Sequence, residues 1–218
     1  MPGPELASKN LLEASLPDAA RFFERAEKDL AAEPGVGFRG LFASVPRRLV
    51  AAAELRAAAP ADLPQARPHW TLTDYARLWL MARALPLVGA SEQADFVRSL
   101  FEAGEIGEQV SVLRVLSALP EPERFVETGL QACRTNARNV FEAIACENVF
   151  PAAYFPPLNF NQAVMKAIFM EVPVQRIEGL APRITPELSR MAAGYASERR
   201  AAGRPVPPDA EFLSQHGA

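Results

Sequence analysis

The sequence predicts an all-α protein made of stacked antiparallel helix pairs, arranged either as a HEAT-like α-solenoid or as an irregular helical bundle. Nearly every segment places its apolar residues at helical spacing, and the alternating β-branched runs that indicate strands are missing. Of the 218 residues, 49% are hydrophobic and 22% are charged. This is the composition of a folded chain with a substantial core.

The N-terminal segment carries two helix-start signals. Ser15, Pro17 and Asp18 resemble a capping box and predict a helix that the glycine-rich stretch "EPGVG" ends. Ser44 and Pro46 predict the start of a second helix through the alanine-rich "RRLVAAAELRAAA". We therefore expect N-terminal helices over residues 1–60 that pack on a main domain.

The stretch "PADLPQARPH", residues 60–69, collects residues that break helices or favour solvent, and is interpreted as a linker. The main helical domain is expected over residues 71–205. Beyond Pro207 and Pro208, residues 206–218 are expected to form a loosely ordered tail.

Five of the main domain's helices can be placed from their apolar stripes and end signals. Thr73 is expected to cap the first helix, whose stripe is formed by Tyr75, Leu78, Trp79 and Ala82. Later helices are predicted over Glu121–Thr135, Asn136–Glu147, Asn159–Met170 and Pro186–Ala202.

A weak internal repeat is consistent with the solenoid. Ala84–Val97 and Ala118–Val126 each contain a helix end, a proline-bearing turn and an acidic start followed by Phe-Val. Stacked helix pairs repeat in this way, but short connections in an irregular bundle produce the same pattern.

Composition disfavours several classes of function. A net charge of −3 and a pI near 5.6 argue against nucleic-acid binding. Two cysteines and two histidines are too few for a disulfide framework, a structural zinc site or a multi-histidine centre. No metal and no cofactor are therefore expected.

Targeting signals are also missing from the sequence. The stretch "MPGPELASKN" lacks a signal-peptide pattern, and the most apolar run, "LWLMARALPLV", is short and interrupted by Arg83 and Pro86. These features predict a cytoplasmic protein without membrane insertion.

One nucleotide-binding motif is a decoy. Gly35, Gly37 and Gly40 spell G-x-G-x-x-G, but a charged helical segment precedes them where a dinucleotide fold requires a buried strand. The glycines are interpreted as a connection between two helices.

Residues 136–170 form the segment of most interest. They contain only four charged residues but six of the chain's eighteen aromatic residues. Low charge with high aromatic content indicates a segment that is buried or lines a cleft.

Two predicted helices in this segment carry its polar residues. Asn139, Glu142 and Cys146 share one helix face, and Gln162 and Lys166 lie at i, i+4 on a helix that is otherwise apolar. If the helices are antiparallel neighbours, Lys166 is expected to meet a carboxylate.

That carboxylate is Glu142, or Glu147 in another register. The pair then either stabilises a unique core packing or lines a pocket, where Lys166 binds an anionic or carbonyl group and Glu142 acts as acid or base. Cys146 is interpreted as a small buried residue rather than a nucleophile, because no histidine is near it.

The sequence resembles the EboA family of bacterial proteins. The resemblance is densest over Asn136–Pro207 and extends loosely back to Thr71. Two stretches carry it: "FEAIACENVFPAAYFPPLNFNQAVMKAIFMEVPVQRIEGL" and, following it, "ELSRMAAGYASERRAAGRPVP". The matching positions are Glu142, Cys146, Glu147, Asn148, Asn161, Gln162, Lys166, Tyr195, Glu198, Arg199, Gly203 and Arg204.

The resemblance implies a helical protein. Such proteins are encoded beside prenyltransferase-like, TIM-barrel and sugar-phosphate-cyclase-like enzymes, in clusters that make or export a specialised metabolite. No catalytic residue can be carried over from the family, so the catalytic residues are unknown.

The resemblance also indicates a second place to look for a site. In "GYASERRAAGR", Tyr195, Glu198 and Arg199 share a helix face, which is either an exposed Glu–Arg surface with a buried tyrosine or part of a pocket. In the second case Arg199 or Arg204 would bind an anion.

The preferred functional hypothesis is a non-catalytic helical binding or scaffold protein that holds a small metabolite or a pathway enzyme. The alternative is a metal-free enzyme that acts on a small oxygenated ring metabolite through Glu142 and Lys166. The binding candidates are Asn139, Glu142, Cys146, Glu147, Asn161, Gln162, Lys166, Tyr195 and Arg199.

Overall fold

The computed structural model describes residues 3–32, 36–49 and 59–216. Within these ranges the secondary structure is α-helical and 3₁₀-helical, with no β-strand, so the all-α prediction is confirmed. The chain forms two compact units, Met1–Ala132 and Cys133–Ala218. The boundary between them lies inside the main domain expected over residues 71–205, and that division of the chain stays a prediction.

Helix α4 is the centre of the first unit. The α helices of this unit are α1 Pro4–Ser15, α2 Ala19–Ala32, α3 Val36–Arg48, α4 Leu72–Ala84, α5 Gln93–Glu102, α6 Ile106–Val115 and α7 Val126–Ala132. Helices α1, α3 and α6 all pack on α4. All residues of α4 are buried except Arg83, as expected for a helix that neighbours surround.

The start of α4 differs from the prediction by two residues. Thr71, not Thr73, is the N-cap: its side chain accepts a hydrogen bond from the Asp74 backbone, and the Asp74 carboxylate accepts one from the Thr71 backbone. Thr71 is followed by Asp74 at the third helical position, and this pair forms the reciprocal capping box. Thr73 lies inside the helix instead.

Ser44 and Pro46 do not begin a helix, because α3 begins at Val36 and continues past both residues. A proline inside a helix leaves the carbonyl four residues earlier without its amide donor. That carbonyl is Phe42 O, and Nε of Arg77 donates to it at 3.4 Å. A side chain from α4 therefore replaces the missing amide. Residues 50–58 of the predicted helix lie outside the described residues.

In the described structure the glycine motif follows a helix and not the buried strand that a dinucleotide fold requires. Gly37 and Gly40 lie inside α3, and the helix α2 stands before them in the chain. Gly35 lies outside the described residues.

The two predicted repeat segments have related local structures. Helix α4 is followed by the 3₁₀ turn Leu85–Leu87 and then α5, while α6 is followed by the 3₁₀ turns Leu116–Ala118 and Pro122–Phe125 and then α7. Glu121 has φ 49°, so the helix predicted from this residue begins later, with a 3₁₀ turn. Whether the arrangement is a solenoid or a bundle stays a prediction.

The second unit is organised around α10. Its α helices are α8 Arg138–Ala145, α9 Phe150–Tyr154, α10 Pro157–Phe169, α11 Pro186–Ala201 and α12 Pro208–Gln215, with 3₁₀ turns Val174–Arg176 and Ala181–Arg183. Helix α10 packs on α8, on α11 and on the Val174–Arg176 turn.

Helix α11 has the end signals that its sequence predicts. Thr185 caps it, with its side chain accepting from the Leu188 backbone at 3.2 Å. At the other end Gly203 has φ +64°, and the Arg204 amide donates to the Arg199 carbonyl at 2.9 Å. A glycine is favoured there because a left-handed residue closes the helix.

The expectation of a loosely ordered tail is wrong for residues 208–215. They form α12, which packs along α11 and buries Ala210 and Leu213. Pro207 and Pro208 begin this helix instead of ending the ordered chain, because proline is well tolerated at the first helical position.

Candidate functional site

Glu142 is held by two arginines. Its two carboxylate oxygens accept hydrogen bonds at 2.7 Å, one from Arg138 Nε and one from Arg176 Nη1. Partial burial by itself would raise the pKa of Glu142, but the hydrogen bonds and charges of the two arginines outweigh burial and lower it. The carboxylate therefore stays ionised near neutral pH.

Arg176 also binds Glu147. Its guanidinium donates from Nε at 2.8 Å and from Nη2 at 3.0 Å, one bond to each carboxylate oxygen. The Glu147 amide in turn donates to the Arg176 carbonyl at 2.8 Å. The hydrogen bonds that Arg176 donates to Glu147 and then to Glu142 raise the pKa of its guanidinium. The bidentate geometry fixes the orientation of both side chains.

Glu147 follows the end of α8 in a left-handed conformation, with φ 46°. This conformation is unfavourable for a residue with a side chain, and the bonds to Arg176 hold it in place. Helix α8 itself ends at Ala145, two residues before the predicted end at Glu147, because Cys146 is already extended.

Lys166 does not pair with Glu142 or Glu147, so that prediction is wrong. Its Nζ donates to the Thr135 carbonyl at 2.5 Å and lies 5.6 Å from the centroid of the Phe141 ring. Burial lowers the pKa of Lys166. The carboxylates meet arginines instead, and the ammonium group ties α10 to the segment before α8.

Cys146 is buried, and burial raises the pKa of its thiol to about 11. The charge of Arg176 acts in the opposite direction but is outweighed. A thiol that is neutral at physiological pH is a poor nucleophile. The geometry therefore agrees with the interpretation of Cys146 as a small buried residue.

The candidate amides do not converge. Asn161 is buried in the unit, whereas Asn139 and Gln162 are exposed. Asn148, which only the family resemblance singled out, has a local role: its Oδ1 accepts from the Phe150 amide at 3.0 Å at the start of α9. These side chains do not form one pocket.

A cleft with a volume of about 510 Å³ lies elsewhere in the second unit. We call it the C-terminal cleft. Its apolar walls come from Ile168, Pro173, Pro205, Val206, Pro207 and Pro208. Its polar lining comes from Glu171, Gln175, Arg199 and Asp209.

Arg199 is the predicted site residue that lies in the C-terminal cleft. Its Nε donates to the Pro205 carbonyl at 3.0 Å, and both residues line the cleft. Among the described residues, no carboxylate forms an ion pair with Arg199. Tyr195, one turn earlier on α11, is half-buried and is not part of the lining.

Asp209 closes one side of the cleft. Its carboxylate accepts from the Val174 amide at 3.0 Å and from Gln175 Nε2 at 2.9 Å, so it links the start of α12 to the 3₁₀ turn. Arg200, the residue after Arg199 on α11, pairs with Glu211 of α12 at 3.0 Å. These bonds shape the cleft by fixing α12.

One face of α10 is exposed and mostly uncharged. Leu158 and Phe169 are 57% and 73% exposed, and Gln162 and Met165 lie between them on the same face. Isolated exposed apolar residues are common, but four positions in one stripe form a continuous surface.

Sequence reasoning missed Arg176 and Asp209. A signal for Arg176 was present, because two glutamates in a segment of low charge need more cationic partners than one lysine supplies. Asp209 stands in the first turn of a helix behind two prolines, which is a helix-start signal rather than a site signal.

A family model described as "Metabolite traffic protein EboA" matches residues 17–212 of the chain. The chain belongs to the EboA family. This confirms the resemblance and extends it toward the N-terminus, since the motifs alone reached back only to Thr71. No curated protein and no solved structure gives a significant match to this EboA-family chain.

The described helices and side chains of this EboA-family chain contain neither a membrane span nor a metal-binding cluster. Among the described helices, none combines the length and apolar character needed to cross a bilayer. Within the same residues, His, Cys, Asp and Glu side chains form no cluster of three or more that could hold a metal ion.

Proposed function

We propose that this protein is a non-catalytic helical binding protein that retains a small metabolite in the C-terminal cleft. It would act in the cytoplasm, in a pathway that makes or exports a specialised metabolite. The family description as a metabolite traffic protein supports a role with a small molecule.

The observation that carries the proposal is the C-terminal cleft itself. Its volume of about 510 Å³ lies in the range of small-molecule sites, and it joins apolar walls to a few polar groups. Among these, Arg199 is oriented by a backbone carbonyl and has no ion-pair partner among the described residues.

The enzyme hypothesis at Glu142 and Lys166 loses its geometric basis. It requires both head groups in one pocket, but Glu142 binds two arginines and Lys166 binds a carbonyl of the chain. Neither residue lines the C-terminal cleft. No described contact favours acid–base chemistry by this pair.

Retention of a pathway enzyme stays a prediction of the sequence. The uncharged stripe on α10, from Leu158 to Phe169, supports it, because a protein-binding surface requires exposed apolar area.

The proposal can be tested by isolating the protein from cells that contain its pathway. Compounds released from the purified protein by organic solvent are compared by mass spectrometry between the wild type and Val206→Trp, which fills the cleft. We expect a compound that the wild type retains and that Val206→Trp loses, with an unchanged melting temperature. Leu87→Trp is the matched control, because Leu87 is exposed in the other unit.

The same preparation separates binding from catalysis. When the released compound is incubated with fresh protein, its mass is expected to stay the same. A new product that depends on the protein would contradict the non-catalytic part of the proposal. Equal retention by the wild type and Val206→Trp would contradict the assignment of the cleft.

A further inference from the structure

We infer that the ligand of the C-terminal cleft is a small organic acid, whose carboxylate or phosphate is bound by the guanidinium of Arg199. This inference rests on the proposed function and specifies the chemical class of its ligand. It follows from the hydrogen bonding of Arg199 and from the groups that surround it.

Arg199 presents a bidentate donor edge that the protein leaves open. Nε is used by the Pro205 carbonyl, whereas no acceptor among the described residues is bonded to the two terminal nitrogens. An arginine held at Nε keeps a fixed plane, and the remaining donors match the two oxygens of a carboxylate or phosphate.

The environment strengthens an ionic contact at this position. Arg199 is half-buried, and six of the ten residues that line the cleft are apolar. Partial removal of water raises the strength of a charge-assisted hydrogen bond relative to one on an open surface.

Two carboxylates also line the cleft, and each has to be reconciled with an acidic ligand. Asp209 accepts two hydrogen bonds from the 3₁₀ turn and lies in the first turn of α12, where the helix dipole offsets its charge. Neither Asp209 nor Glu171 forms an ion pair with Arg199 in the described structure. The guanidinium charge is therefore left for the ligand.

Glu171 adds a second requirement on the ligand, a group that can donate a hydrogen bond. It lines the cleft, and among the described residues no donor is bonded to its side chain. A hydroxyl group on the ligand would donate to this carboxylate, whereas a second acidic group would be repelled. The ligand class is therefore a monoacid with a hydroxyl group and an apolar body.

Mandelate is a suitable probe, because it carries one carboxylate, one hydroxyl group and a ring. 1-Phenylethane-1,2-diol has the same skeleton without charge, and phenyl phosphate distinguishes phosphate from carboxylate. Binding is followed by chemical-shift changes of the backbone amides around Arg199 and Val206. We expect at least one acid to bind about tenfold more tightly than the diol.

Three variants assign the preference to Arg199. Arg199→Met is expected to remove the advantage of the acid over the diol, and Arg199→Lys to retain part of it, because the charge remains without the bidentate fork. Arg190→Met is the matched control on the same helix, since Arg190 is exposed and pairs with Glu187. It is expected to leave the preference unchanged.

Three results would overturn the inference. The diol could bind as tightly as both acids, the preference for the acid could survive Arg199→Met, or neither acid could bind. These failures are distinct from failure of the proposed function. If the wild type retains a pathway compound that Val206→Trp loses, but acids have no advantage, the cleft stands as a binding site and only the ligand class is wrong.

Discussion

Arg176 binds two carboxylates in the segment with the lowest charge. It binds Glu142 with one nitrogen and Glu147 with two, while Arg138 binds the other oxygen of Glu142. Four side chains thus form one ionic network at the end of α8. Its members fix the chain around Cys146, and none of them lines the C-terminal cleft.

Replacement of Glu142 by Gln is expected to lower the free energy of unfolding at neutral pH by about 1 kcal/mol, a value reduced by partial exposure. The pKa of Glu142 is lowered in the folded state. Its stabilisation is therefore present above the ordinary carboxyl pKa and is lost as the pH falls through the folded-state value.

Denaturant unfolding at neutral and acidic pH checks this expectation. The difference between the wild type and Glu142→Gln is expected to shrink as the pH falls from the ordinary carboxyl pKa through the lower folded-state value. The control Glu187→Gln, in an exposed pair with Arg190, is expected to have little effect at either pH. A difference that does not shrink in acid would show that the ionic network does not explain the effect.

A double-mutant cycle tests whether Glu142 and Lys166 are partners. Glu142→Gln and Lys166→Met are expected to be additive within about 0.5 kcal/mol, because the two head groups bind different partners. Glu142→Gln and Arg176→Met are expected to have a coupling energy above about 0.5 kcal/mol, because a hydrogen bond joins the two wild-type side chains. The unfolding free energies of the single and double variants give both couplings. Strong coupling in the first cycle would restore the predicted pair.

At the scale of elements, α4 is joined to its neighbours by a buried ionic cluster that the sequence analysis did not single out. Asp74 is 1% exposed and accepts from Ser111 Oγ at 2.6 Å and from Arg114 Nη1 at 2.9 Å, both on α6. Arg77 donates to Ser111 at 2.9 Å and to the Phe42 carbonyl of α3. One turn of α4 thus connects three helices.

Replacement of Asp74 by Asn is expected to lower the free energy of unfolding by about 2 to 4 kcal/mol. The change leaves the partly buried Arg114 without its anion, while the size of the side chain is kept. Asp95→Asn is the matched control, since Asp95 pairs with Arg98 at the surface. Chemical denaturation measures both, and an equally small effect for the two variants would contradict the role of the cluster.

The turn before the Ala181–Arg183 helix depends on a glycine. Gly179 has φ +73°, and a Cβ at this position would lie 2.6 Å from the Cβ of Ala152. Gly179→Ala is therefore expected to destabilise the protein by about 2 kcal/mol or more, from backbone strain and a steric clash together.

Gly203→Ala separates these two causes. Gly203 has φ +64°, but a Cβ there would meet no atom within 4 Å. Only the backbone cost of about 1 kcal/mol is expected. Thermal and denaturant unfolding compare the two variants, and equal losses would show that the contact with Ala152 contributes nothing.

At the scale of the whole molecule, the family match includes parts of both compact units, since it runs from residue 17 to residue 212. The sequence motifs identified only the later part of this range. The earlier part has an alanine-rich and glycine-containing sequence, whose local patterns occur in many helical proteins and carry little family information.

Local sequence signals predicted the helices well where the deciding groups are close in the chain. Helix α11 begins where Thr185 and Pro186 predict and ends one residue before the predicted end. The same type of signal was misleading at Pro46, because Arg77, thirty-one residues later, supplies the donor that the proline lacks. Propensity does not include such contacts between helices.

The sequence by itself determined the helical class, the family and the segment in which charge is scarce. Each of these depends on residue type and on spacing within a few turns. Only the tertiary structure decided that Glu142 binds Arg176, that Lys166 binds a carbonyl and that Arg199 lies in a cleft with Asp209. Helical periodicity predicts which face of a helix is buried. The partner that it meets depends on how helices far apart in the chain pack together.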